Sequence, residues 1–151
     1  MLNLSGRKKL PSILQAEAAE CGIACIAMIT SYHGYTCDLQ SLRKSFGSSA
    51  RGTSLQTIMD LADSLQLTSR AVRIDMEELS DLSLPAILHW NFNHFVVLKV
   101  VTRQSLVIHD PAAGIRKYSR EQAGHRFTGI ALELTPRSSF VTGSAHTRLE
   151  I

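Results

Sequence analysis

The 151-residue chain is predicted to fold as an α+β domain, with a helical N-terminal half packed on a C-terminal antiparallel β-sheet. Two features predict this. As far as Leu65, apolar residues recur at helical spacing between cap and stop signals. From Arg70 onward they gather into short runs rich in Val, Ile and Leu, separated by turn residues, as hairpins require. Helices first and strands second is the order of an α+β architecture, and the cleft between the halves is the expected place for a site.

Taken in order, residues 1–10 read as a flexible lead-in, 11–137 as the folded domain, and the polar stretch 138–151 as a linker or tail. Cys21 to Tyr32 is rich in Ala, Ile and Met, carries no glycine after Gly22, and stops at His33-Gly34, which suits a helix C-terminus. Asp38 can cap a second helix to Phe46, with Leu39, Leu42 and Phe46 on one face and Gly47 ending it. After a small polar loop from Gly47 to Gly52, Thr53 or Ser54 can cap a third helix carrying Leu55, Ile58, Ala62 and Leu65. Five strands are then predicted: Arg70–Ile74, Ala86–Trp90, His94–Val101, Ser105–His109 and Thr128–Leu134. Asn91-Phe92-Asn93, Thr102-Arg103-Gln104 and Asp110-Pro111 supply turns between them. Met76 to Asp81 reads as one helical turn, and Ser119-Arg120-Glu121-Gln122 as a capping box opening a short helix.

A hydrophobic content of 44% and a charged content of 19% belong to a globular chain, and the length suits one domain with one good core. No run of 18 apolar residues exists to span a bilayer; the best candidate, Phe95 to Val101, is short and broken by Lys99. The N-terminus is basic but lacks the apolar stretch of a secretory signal, so a cytoplasmic chain is expected. Three cysteines, an odd number without framework spacing, agree with a reducing compartment. The net charge of +3 is scattered, with no basic stripe interleaved with aromatics, which argues against nucleic-acid binding.

The chemistry starts at Cys21. At a helix N-terminus, unpaired N–H groups and the helix dipole favour negative charge, which turns a thiol into a nucleophile. Gly22 would let a substrate backbone approach the sulfur, and Gln15, six residues upstream, can donate to an oxyanion. A buried structural cysteine is the competing reading of Cys21 taken alone. The nucleophile needs a base and a group to orient it. His94 opens the best strand, and a hairpin about Thr102-Arg103-Gln104 would bring it beside Asp110, which could fix the imidazole tautomer. His89 and Trp90 end a strand beside this place and could line the cleft. Cys25 shares the helix face of Cys21, but with His33 it makes a poor metal signature, so no metal is expected and Cys25 reads as core. Cys37 reads as an exposed thiol without special role, and His109 as facing away from Asp110's side of the sheet. His33, His125 and His146 have no evident partner.

Four separated motifs carry a family resemblance: Gln15 to Gly22 (QAEAAECG), Ser49 to Leu55, Leu88 to Leu98 (LHWNFNHFVVL) and His109 to Gly114 (HDPAAG). Together they resemble the N-terminal peptidase domain of bacteriocin-exporting ABC transporters, cysteine peptidase family thirty-nine, with the nearest likeness to colicin V and microcin exporters. The resemblance implies a papain-like fold and removal of a leader peptide from a bacteriocin or microcin precursor after a double-glycine-type site, coupled to export. Cys21 would be the nucleophile, His94 the base, Asp110 its orienter, and Gln15 part of the oxyanion hole. No cofactor is implied for this domain, ATP being used by a separate nucleotide-binding domain. The implied partners are the precursor's leader and the transporter's transmembrane and nucleotide-binding domains, at the cytoplasmic face of the bacterial inner membrane. Two other functions fit the same residues: a module that docks leaders without cutting them, and a papain-like amidase or acyltransferase.

Overall fold

Helix α1, Cys21–Tyr32, is the axis of the fold. Cys21, Gly22, Ala24 to Ile29 and Thr30 are all buried, and a helix apolar on every side belongs inside a core rather than on a surface. Its one internal polar group is satisfied locally, the Thr30 hydroxyl donating to Ile26 O at 2.9 Å. The computed structural model describes residues 8–46 and 54–144. The start of the lead-in, the loop 47–53 with its motif residues and Thr53, and residues 145–151 with His146 lie outside the described residues, as does the side chain of Phe46.

The predicted punctuation is where the helices turn. Gly34 ends α1 at φ +110°, in the left-handed region that favours glycine; a Cβ there would also stand 3.0 Å from Thr142. Helix α2, Leu39–Phe46, starts where Asp38 Oδ1 accepts the Ser41 N–H at 2.7 Å. Helix α3, Leu55–Ser64, is capped by Ser54, whose Oγ accepts the Thr57 N–H at 3.1 Å, and it buries Ile58, Leu61 and Ala62.

Six strands build one sheet, antiparallel at every pairing: β2 Leu67–Arg73, β3 Ala86–Trp90, β4 His94–Val101, β5 Ser105–Asp110, β6 Gly114–Ser119 and β7 Phe127–Pro136, in the order β2-β7-β3-β4-β5-β6. The turn Met76–Asp81 is 3-10 helix. The Ser119/Gln122 capping box opens α4, Arg120–Gly124. Strand alternation sorts the core into two clusters. Ile87, Phe95, Val97, Leu132 and Leu134 face the helices, while Leu88, Trp90, Val96, Leu98, Leu106, Ile108 and Ala131 pack on the other side with Leu79 and Ala123.

Three features depart from the sequence reading. β6 was not among the predicted strands: its GIRKYS has only Ile115 and Tyr118 as apolar members and exposes Ile115, Arg116 and Lys117, the charged pattern of a sheet edge rather than of a buried run. Cys37 is not an exposed thiol; it is 2% exposed and sits 3.4 Å from the Thr30 hydroxyl. Nor does the fold stop at residue 137. Phe140 packs on the core and on His33 with ring centroids 6.4 Å apart, and β8, Gly143–Ser144, pairs in parallel with β1, Tyr35–Thr36. Two-residue strands carry no periodicity to read. Arg137 anchors the start of this segment, its guanidinium bonding Asp63 and Thr68 and its N–H donating to Gln66 O at 2.9 Å.

Candidate active site

Cys21 is the first residue of α1, and its side chain is almost wholly covered, at 3% exposure. The first N–H groups of a helix have no partner within it, so the sulfur stands where negative charge is favoured. Below it on the same face, Cys25 is fully buried, and burial pushes its thiol's pKa well up. It is core.

His94 is the first residue of β4, delivered by the turn that follows Trp90. Asn91 and Phe92 adopt φ of +53° and +68°, a region bulky residues rarely enter. The Asn91 N–H donates to Arg126 O at 2.8 Å, while the Phe92 ring is left 84% exposed. On the next strand, Asp110 closes β5 with its Oδ1 accepting the Ala112 N–H at 2.8 Å, an Asx-type turn that fixes the carboxylate. The same Oδ1 accepts from His94 Nε2 at 2.6 Å.

The hairpin reading brought these two together, with one adjustment. Val97 pairs with His109, and the register slips between Leu98 and Val100. Asp110 therefore falls opposite Val96, and His94 is its diagonal neighbour, which a long side chain can still reach. His109 shares Val97's face, toward the helices, and its Nδ1 donates to Pro11 O at 2.8 Å. The two neighbours thus act on opposite sides, Asp110 on His94 and His109 on the lead-in.

Electrostatics tie the ring to both neighbours. Burial alone would lower the pKa of His94, but hydrogen bonds to Asp110 and to Cys21, reinforced by their charges, outweigh it and raise the value to about 9. For Asp110, burial raises the pKa, and the His94 bond with the Ala112 N–H wins, holding it below 3.8. With Nε2 bound to the carboxylate, Nδ1 is the ring nitrogen left for the thiol. The three groups form one chain from helix to sheet: thiol, imidazolium, carboxylate.

Gln15 lies beside them because its N–H donates to Pro111 O at 2.9 Å, next to Asp110. Its Oε1 is buried without a hydrogen-bond partner. Gly22 is buried in the first turn of α1. The two substrate-lining candidates end β3. His89 holds the Thr128 hydroxyl through Nδ1 at 2.8 Å and tilts against Phe95. Trp90 is 1% exposed and packs on Tyr118 in the cluster away from the helices. The reading of Trp90 as a cleft residue is corrected by burial: packed against Tyr118, its indole has no surface left for a substrate.

One residue of this region carries no chemical signal in the sequence. Glu20, directly before Cys21, is a 5% exposed carboxylate whose only mark is the Glu17-x-x-Glu20 spacing of a capping box. Among the described residues, no group of three or more His, Cys, Asp or Glu is arranged to hold a metal ion, and no helix is long and apolar enough to cross a membrane.

The Peptidase C39 family model matches residues 9–139. The chain is 46% identical over 151 residues, its whole length, to the colicin V secretion/processing ATP-binding protein CvaB of Escherichia coli. It is 45% identical over 150 residues, 99% of its length, to the same organism's probable microcin-H47 secretion/processing ATP-binding protein MchF. It spans 22% of the length of each. Among solved structures, a double glycine motif protease from an AMS/PCAT transporter, in complex with the leader peptide, superposes with a TM-score of 0.80 at 38% identity, covering 89% of this chain and 96% of that one.

Proposed function

Because the chain belongs to the Peptidase C39 family, with its papain-like arrangement of helices on an antiparallel sheet, we propose that it removes the leader peptide from a bacteriocin or microcin precursor by cutting after a double-glycine-type site. The observation that carries this reading is the His94 ring, bound through Nε2 to Asp110 at 2.6 Å, with Cys21 near enough to help raise its pKa. A peptide carbonyl reaching the start of α1 meets Cys21 Sγ beside a protonated imidazole, the setting in which sulfur attacks as its anion. The oxyanion then accepts a hydrogen bond from the Gln15 carboxamide N–H. His94, charged at neutral pH, gives its proton to the departing amine, and Asp110 stabilises the imidazolium and its orientation throughout. Water, deprotonated by His94, releases the acyl group from sulfur.

The relatives' naming as secretion/processing ATP-binding proteins supports a place beside transmembrane and nucleotide-binding domains at the cytoplasmic face of the inner membrane. There the leader would be removed as the precursor is exported. ATP would serve that separate domain, and the cleavage itself would use only the side chains named above.

The test is incubation with a precursor bearing a Gly-Gly leader, followed by mass spectrometry, beside Cys21→Ala and Gln15→Ala. Cutting after the second glycine that disappears with Cys21→Ala is expected. Cutting that survives Cys21→Ala would refute the mechanism, and a precursor bound but left whole by the intact chain would make it a docking module.

A further inference from the structure

The residue preceding the nucleophile is charged and shielded from water, a costly arrangement unless both oxygens are engaged. They are. Glu20 Oε1 accepts the N–H of Ala16 at 3.0 Å and that of Glu17 at 3.1 Å, and Oε2 accepts from Arg43 Nε on α2. The Arg43 bond first, then the two amides, hold the carboxyl's pKa below its ordinary range against the opposing effect of burial.

A helix cap is the simplest role for such a group, and its bond to the Glu17 N–H does close a capping box on the 3-10 turn Ala18–Glu20; yet the carboxylate makes no capping bond to α1, and its bonds to the Ala16 N–H and to Arg43 lie outside that box. It reaches backward, into the segment that leads from Gln15 to Cys21. The start of that segment is then held from two sides: the Gln15 N–H is fixed to Pro111 O at the sheet, and one residue later the Ala16 N–H is fixed to the side chain just before Cys21. Arg43 braces the anchor from a third element.

We propose that Glu20 is a positioning residue for the oxyanion hole, setting the place of Gln15 relative to Cys21 Sγ through the Ala16 and Glu17 amides. The inference rests on the roles proposed above for Cys21 and Gln15. Gln15 has a flexible side chain and an unpartnered Oε1, so the geometry of its donor depends on where its backbone is held. A displacement of about 1 Å at such a group can cost about a hundredfold in rate.

The test compares kcat, KM and Cys21 alkylation by iodoacetamide in the intact chain, Glu20→Ala, Glu20→Gln and Gln15→Ala, with and without the second substitution. Glu20→Ala is expected to lower kcat for leader cleavage about ten- to a hundredfold with KM little changed. Glu20→Gln, which keeps an acceptor for both amides, should recover most of that loss. Alkylation forms no oxyanion and should keep its rate in every variant that retains Cys21. In the Gln15→Ala background, Glu20→Ala should cost almost nothing more, because both substitutions remove the same interaction. Losses that multiply, a change confined to KM, or an alkylation rate that falls in step with kcat would overturn the proposal. Should Glu20→Ala fail to fold, Arg43→Met removes the brace alone and is judged by the same cycle: a kcat loss absent in the Gln15→Ala background supports the proposal, and a multiplying loss overturns it. Cutting that survives Cys21→Ala would instead strike the peptidase reading itself, so the two failures are separable.

Discussion

The two faces of the sheet do different work with the same strands. Toward the helices, Phe95 and Val97 meet α1, the helix whose first residue is the thiol. On the other face Val96, Leu98 and Trp90 pack with Leu79, Leu106 and Ala123, beneath the strand ends that carry His94 and Asp110. One face mounts the proposed nucleophile. The other holds β3, β4 and β5 together, and so holds His94 and Asp110 where α1 can use them. Activity and stability are therefore expected to respond separately to changes on the two sides.

The largest expected effect breaks activity alone. Cys21→Ala should lower leader cleavage by about ten-thousandfold or more while leaving cooperative urea unfolding nearly intact. A comparable loss of stability would mean that the helix face cannot be separated into mount and chemistry. Trp90→Ala should do the reverse, costing about 3–5 kcal/mol of unfolding free energy by emptying a large buried site. The milder Trp90→Phe should fold and leave KM for the precursor unchanged; a raised KM would show that the indole meets substrate after all.

Charge in the site joins the two faces, and pH sharpens the comparison. His94 titrates at about 9 in the folded chain against 6.5 ordinarily. Its contribution to stability is thus fully present below 6.5 and is lost as pH rises through about 9. Asp110 is depressed below 3.8, so its contribution is present above that value and is lost as pH falls through the folded one. The melting-temperature gap between the intact chain and Asp110→Asn should be widest between these limits and narrow on both sides. Cleavage should also decline above pH 9, by about tenfold per unit, as His94 loses the proton it gives to the leaving amine. A flat gap or a flat alkaline limb would break the assignment. The smallest effect should come from Phe140→Ala, which should cost about 1–2 kcal/mol without altering kcat, since the residues joined to α1's far end do not reach the thiol.

Much of the helical half was legible because its signals are local. Asp38, Ser54 and Gly34 act on backbone within a few residues, and Cys21 opens α1 by the same kind of rule. Strands β3 and β4 matched their predicted limits because apolar runs between turns are local too. The edge strand β6 and the β1–β8 pair were not legible, since one owes its place to a neighbour in the sheet and the other to a contact between distant segments. Trp90 failed for a related reason: it pairs with His94 across the hairpin, but its indole is covered by a contact with Tyr118, a residue distant in sequence.

What the chain order determined by itself was the chemistry available: a thiol at a helix start, a histidine at a strand start, an aspartate at a strand end, and a glutamine six residues before the thiol. Tertiary structure alone decided that His94 meets Asp110 diagonally across a slipped register, and that Glu20 is bonded to Arg43 and two amides while buried beside Cys21. Local rules act through the backbone over a turn or two, whereas the His94–Asp110 and Glu20–Arg43 contacts join groups 16 and 23 residues apart and exist only once the elements that carry them have packed together.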